Sequence, residues 1–166
     1  MKKEICLAGG CFWGTQKFFD QFDGVLETEV GYANGPTENP GYQDVCASSG
    51  HAETVKIVYD DEVLSLPKLL EYYFMTIDPL SYHRQGMDMG IQYRTGIYYS
   101  DPQDLPILEA CYAAEQKKYR QKMEVELLPL QNFYSAEEYH QKYLEKNPGG
   151  YCHIPQKLLH IGRTID

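Results

Sequence analysis

A thiol, a carboxyl and a few phenols stand out in this chain for their types and surroundings. Cys11 lies in Gly10-Cys11-Phe12-Trp13-Gly14, where an apolar strand-like run, Ile5 to Ala8, gives way to a helix-like one. A cysteine in the first turn of a helix meets unpaired backbone N–H groups and the positive end of the helix dipole. Both favour thiolate over thiol, so the placement points to a nucleophile. The flanking glycines permit a sharp turn and close approach of a substrate, and Phe12 and Trp13 can wall an apolar pocket beside the sulfur. The plainer reading makes Cys11 a small buried hydrophobe among core aromatics.

Cys152 closes the turn-rich run Asn147-Pro148-Gly149-Gly150-Tyr151-Cys152. A thiol in such a tail has no packing reason to be there and can be brought to another sulfur. That suits a resolving cysteine, which forms a disulfide once the first thiol is oxidised; a surface cysteine of no consequence is the alternative. In Gly50-His51-Ala52-Glu53, Glu53 shares a strand face with Val55 and points inward. Desolvation would raise its pKa and fit it as a general acid, unless a basic residue pairs with it. Tyr42 and Tyr93, the latter near Asp88, sit in or beside irregular segments and offer phenolic donors to a polar substrate oxygen. With 15 tyrosines in the chain, any one of them also serves packing. Cys6 and Cys111 read as structural and Cys46 as a third thiol without an assigned role. His51 with Cys46 or His153 lacks the spacing of a compact zinc motif.

The elements that must hold these groups are readable from periodicity. A strand over residues 4–8 precedes a helix over 12–22, in which Phe12, Phe18, Phe19 and Phe22 recur at roughly helical spacing. Strands follow at 25–32 and 51–59, separated by a loop rich in Gly, Pro, Asn and Ser. Ser65 caps a helix carrying Leu66, Leu69, Leu70 and Tyr73. After an aperiodic stretch over 80–92, residues 93–99 form a strand. Asp101-Pro102 opens a helix to about Met123, residues 125–130 make a peripheral strand, and Ser135 to Glu138 fits a capping box for a short helix through Leu144. The expected fold is α+β: a two-layer sandwich with a mixed or antiparallel sheet around a split βαβ, ferredoxin-like core. A single domain spans 1–166, with 145–166 an irregular tail.

Composition narrows the classes. The chain of 166 residues is long enough for one hydrophobic core without staples. A net charge of −9 argues against nucleic acid as a partner. No apolar run reaches the length of a membrane span, and the few apolar residues after Met1-Lys2-Lys3-Glu4 are too short for a secretory signal. The expectation is a cytoplasmic protein whose five cysteines are free thiols, acting as a monomer with no membrane partner.

Taken together, Gly10-Cys11-Phe12-Trp13-Gly14, Gly50-His51-Ala52-Glu53, Arg84-Gln85-Gly86-Met87-Asp88, Gln92-Tyr93-Arg94 and the Asn147 to Cys152 run resemble the A-type peptide-methionine sulfoxide reductases, in order and over nearly the whole chain. The resemblance implies reduction of the S epimer of methionine sulfoxide, free or in proteins. It makes Cys11 the nucleophile on the sulfoxide sulfur and Glu53 the proton donor to its oxygen. It matches Tyr42 and Tyr93 to tyrosines that hydrogen-bond that oxygen, Phe12 and Trp13 to the pocket for the S-methyl group, and Asp88 to its polar network. Cys152 matches a resolving cysteine, giving a disulfide that thioredoxin reduces, with no metal or organic cofactor. Met89 departs from the polar or basic residue common after that aspartate, and with no thiol beyond Cys152 recycling is expected to end at one resolving step, Cys46 being the one conceivable intermediary. Two other classes share part of the pattern. A thiol peroxidase would want a positive charge near Cys11, and an acidic binding module would use a tyrosine-rich groove for methionine-containing peptides.

Overall fold

The computed structural model describes residues 1–46 and 50–163. Ser48 and Ser49 of the first loop and residues 164–166 of the tail lie outside them. The chain begins with β1 (Lys2–Gly9), α1 (Phe12–Asp20) and β2 (Val25–Ala33), then a short α2 (Tyr42–Cys46), β3 (Ala52–Asp60) and α3 (Leu66–Met75). A two-stranded hairpin, β4 (Arg84–Gln85) and β5 (Asp88–Met89), precedes β6 (Thr95–Tyr99), α4 (Leu105–Gln116), β7 (Glu126–Pro129), β8 (Phe133–Ser135) and α5 (Tyr143–Lys146). Six strands form one sheet in the order β7-β6-β1-β3-β2-β8. Every pairing is antiparallel except that of β6 with β7 at one edge, so the fold is a mixed α+β arrangement.

Alternation along β1 separates two apolar faces. Ile5 and Leu7 join Val55, Ile57 and Tyr59 of β3 and the phenylalanines of α1 in the main core, while Cys6 and Ala8 face a smaller cluster with Ala33, Ala52 and Tyr98. Helix α3 starts as expected, with Ser65 Oγ accepting from the Lys68 N–H at 3.3 Å, and it docks by donating the Tyr73 hydroxyl to the Ala8 carbonyl at 2.6 Å.

Three expected elements differ. The helix after Asp101 begins as a 3-10 turn, Pro102–Asp104, and its α-helical part ends at Gln116 rather than near Met123. The Gln116 amide turns the chain back there, donating to the Gln121 carbonyl and accepting from the Met123 N–H. Ser135 is no helix cap but the end of β8, paired with Gly31. Gln141 continues that edge with its side chain, accepting from the Val30 N–H at 3.0 Å and donating to the Val30 carbonyl at 2.9 Å, so only the 3-10 turn Glu138–His140 and α5 remain helical. Tyr93 belongs to a 3-10 turn, Ile91–Tyr93, ahead of the strand it was expected to open. Among the described residues the segment after α5 carries only 3-10 structure, Gln156–Arg163, yet Ile154 and Leu159 bury in the main core. Among the described residues no helix is long and apolar enough to cross a membrane.

Candidate active site

Strand pairing brings Cys11 and Glu53 together. β1 and β3 run antiparallel with Ala8 opposite Thr54, so the end of β1 delivers Gly9, Gly10 and Cys11 to the end of the sheet where β3 begins. The turn between them requires glycine: Gly10 has φ +82°, and a Cβ there would stand 2.8 Å from the Cβ of Gln85. Cys11 is the N-cap of α1, with extended backbone and no capping bond from its side chain. The Phe12 N–H, one of the helix's otherwise unpaired donors, reaches Glu53 Oε1 at 3.2 Å.

Both groups face a cavity of about 160 Å³. Cys11, Phe12 and Trp13 line it from the start of α1 and Glu53 from β3; the remaining wall comes from Tyr42, Asp88, Tyr93 and Tyr151. The structure therefore gathers every residue given a part in the chemistry from the sequence except Cys152, and adds Tyr151.

Burial governs the electrostatics. Glu53 is 1 % exposed, and desolvation pushes its carboxyl up to about 8. The Phe12 N–H opposes that shift and Asp88 adds to it. Glu53 is thus protonated at neutral pH. Burial also pushes the Cys11 thiol well above its ordinary value, with Glu53 adding to the effect, while the Trp13 backbone N–H works the other way. The backbone contribution expected at a helix start is present in the Trp13 N–H, and desolvation acts against it. Tyr42 and Tyr93 are likewise raised by burial and remain neutral donors.

The aromatic wall is braced from residues the sequence did not reveal. Trp13 stacks on Tyr143 at 3.8 Å between centroids and donates its indole N–H to His140 Nδ1 at 3.0 Å. The buried His140 ring, held neutral by desolvation, also packs against Phe12 and Tyr42. Glu137 accepts from the Tyr42 N–H at 3.1 Å and the Tyr32 hydroxyl at 2.9 Å, tying the first loop to the sheet. Tyr151 donates its hydroxyl to Asp88 Oδ2 at 3.0 Å across the rim. The Gly-Tyr-Cys run was the one sequence signal for any of these, through Tyr151.

Cys152 is half-buried and lies against α1: a Cβ on Gly14 would stand 3.0 Å from its Sγ. It is near enough to Cys11 for their charges to interact. The other thiols are placed differently. Cys6 is buried on the opposite face of the sheet, its thiol pushed up to about 12, Cys111 is on α4, and Cys46 is exposed at the end of α2. His51 is fully buried beside Gly35 and does not line the cavity.

A small pocket walled by aromatics and holding a thiol, two carboxyls and three phenols is suited to chemistry on a compact polar group, and comparison with known proteins gives the class as an oxidoreductase. The family described as "Peptide methionine sulfoxide reductase" matches residues 3–161. The chain belongs to that family and is an enzyme of methionine sulfoxide reduction. It is 56% identical over 158 residues to the peptide methionine sulfoxide reductase MsrA of Clostridium acetobutylicum, covering 95% of this chain and 98% of that one. The crystal structure of Mxr1 from Saccharomyces cerevisiae in reduced form superposes with a TM-score of 0.86 at 38% identity, covering 91% and 88% of the two chains. Mxr1 in complex with Trx2, from the same organism, gives a TM-score of 0.61 at 26% identity over 86% and 84%.

Proposed function

We propose that this enzyme reduces the S epimer of methionine sulfoxide, free and in proteins, with Cys11 as nucleophile and Glu53 as acid. A sulfoxide sulfur becomes electrophilic when its oxygen is protonated or strongly hydrogen-bonded. Glu53 supplies the proton, the Tyr42 and Tyr93 hydroxyls steady the oxygen, and Phe12 and Trp13 enclose the methyl group, with Asp88 holding the polar rim. As the Cys11 sulfur attacks, its own proton is lost. Methionine leaves with its sulfur reduced, and the oxygen stays on Cys11 as a sulfenic acid. Cys152 then displaces that oxygen as water, forming the Cys11–Cys152 disulfide. Thioredoxin returns both sulfurs to thiols, a reading supported by the complex of the structural relative Mxr1 with Trx2. The two thiols account for both electrons, so the reaction calls for no metal or organic cofactor. The observation that carries the proposal is Glu53, 1 % exposed and held near pKa 8 in the same cavity as Cys11.

The strand order β6-β1-β3-β2, with α1 and α3 as crossovers, also supports reading the central unit as a ferredoxin-like split βαβ. Incubating the reduced protein with one equivalent of each sulfoxide epimer separately tests the chemistry. The S epimer is expected to give methionine and a Cys11–Cys152 disulfide. Unchanged S sulfoxide, or a disulfide formed with peroxide alone, would favour a peroxidase, although no cation lines the cavity among the described residues.

A further inference from the structure

Beside both thiols lies an imidazole to which the scheme above gives no task. His153 follows Cys152 in the chain, and its ring runs along the start of α1. A Cβ on Gly14 would stand 3.3 Å from His153 Nδ1 and 3.0 Å from Cys152 Sγ, while a Cβ on Gly10 would stand 3.2 Å from His153 Nε2. The ring thus spans the two glycines that bracket Cys11, with its Nδ1 end on the surface that carries the Cys152 sulfur. Both nitrogens are shielded from solvent and neither makes a hydrogen bond of normal geometry. An apolar ring would fill that space without the desolvation cost. Burial keeps the imidazole neutral, against Asp88 and the Gly9 backbone, which favour the charged form. A neutral imidazole always has one nitrogen able to take a proton.

Cys152 needs such a group. Burial pushes its thiol above the ordinary value, and the Ile154 backbone and Lys17 offset this only in part, so little thiolate is present at neutral pH. We propose that His153 is the general base of the resolving step, taking the proton from Cys152 as its sulfur attacks the Cys11 sulfenic acid. The inference rests on the functional reading given above. In the step the Cys152 S–H bond and the Cys11 S–O bond break, the S–S bond forms, and the departing hydroxide takes the proton back from His153 and leaves as water. No outside oxidant or reductant is consumed.

Rapid mixing of reduced protein with excess S sulfoxide, without thioredoxin, reads methionine release and disulfide formation separately. His153→Gln is expected to slow disulfide formation at least about tenfold more than methionine release, within the range of general-base effects, and to let the Cys11 sulfenic acid accumulate for a dimedone trap. A pH series separates a lost base from a displaced sulfur. The titratable groups around the two thiols, Lys17 of α1, Glu53 of β3 and Asp88 of β5, are common to both proteins, so the ratio of their rates isolates His153. As Cys152 ionises unaided, the deficit of the variant should narrow by about tenfold per pH unit. A deficit constant with pH, or disulfide formation at the wild-type rate, overturns the proposal. His153→Asn gives the same ratio should His153→Gln fold poorly. If the unaltered protein releases no methionine, the functional reading fails instead; peroxide can then generate the sulfenic acid, and the comparison of disulfide rates still decides the role of His153.

Discussion

The two halves of the pocket are built differently. Cys11 and Glu53 are fixed by the register of β1 with β3 and by the first turn of α1, so backbone pairing sets their places. Tyr42, Asp88, Tyr93 and Tyr151 stand on segments with little regular structure, where Glu137 holds Tyr42, Asp88 and Tyr151 hold each other, and Tyr93 is held by its backbone N–H on the Gly90 carbonyl. The half whose protonation has to be controlled is the half that excludes water most completely, whereas the half that grips a substrate is anchored less firmly. Size does not distinguish the chemistry: a larger cavity of about 540 Å³ shares Trp13 but holds neither Glu53 nor any of the thiols.

The sheet-built half should give the largest effects. Cys11→Ser is expected to release no methionine at all. Cys152→Ser should release one equivalent per chain and then stall with thioredoxin as reductant, and steady cycling of that variant would remove the tail from the mechanism. Next in size comes Glu53→Gln, which should lower kcat by about 10²- to 10⁴-fold while changing KM little, because the acid acts mainly in the transition state. The same carboxyl dictates a pH dependence. Its protonated form is lost as pH rises through about 8, so the methionine-releasing step should slow above that value, and in Glu53→Gln this limb should vanish. Stability carries the matching sign. Between 4.5, the ordinary value of a glutamate carboxyl, and about 8 the folded chain keeps a proton that the unfolded chain has released. Stability therefore falls as pH rises through that window, and denaturant melts should show the decline in the wild type but not in Glu53→Gln.

The same division explains what the sequence could disclose. Alternation placed Glu53 on the face of Val55, Ile57 and Tyr59, and the phenylalanine spacing placed α1, because these patterns are local and their periods differ. The motif around Cys11 and the tyrosines of the irregular segments were legible as residue types in a recognisable order. The bracing was not. Glu137 and His140 act on Tyr42 and Trp13 across gaps of 95 and 127 positions in the chain, and no short-range pattern encodes such contacts. β8 escaped for a related reason: three residues pairing with distant β2 carry too little alternation, and Ser135 with Glu138 matches a helix cap equally well. At Cys11 the helix start is visible in sequence, whereas the depth of burial, which raises the thiol against the backbone N–H, is not.

The loop-built half can be probed at its rim. Tyr151 is 45% exposed and is tied to the pocket wall by the bond from its hydroxyl to Asp88, whereas Tyr42 is pinned through its backbone N–H to Glu137, which also holds the buried Tyr32. A solvent-exposed hydrogen bond contributes about 1 kcal/mol or less, and its loss at a rim weakens substrate and transition state alike. Tyr151→Phe should therefore raise KM about two- to threefold with kcat nearly unchanged. Tyr42→Phe should act mainly on kcat, since its hydroxyl meets charge that develops only as the sulfoxide oxygen is lost. A fall in kcat for Tyr151→Phe as large as that for Tyr42→Phe would mean that Asp88 needs the tail bond to shape the pocket during the chemical step, and the rim would then belong with the buried half.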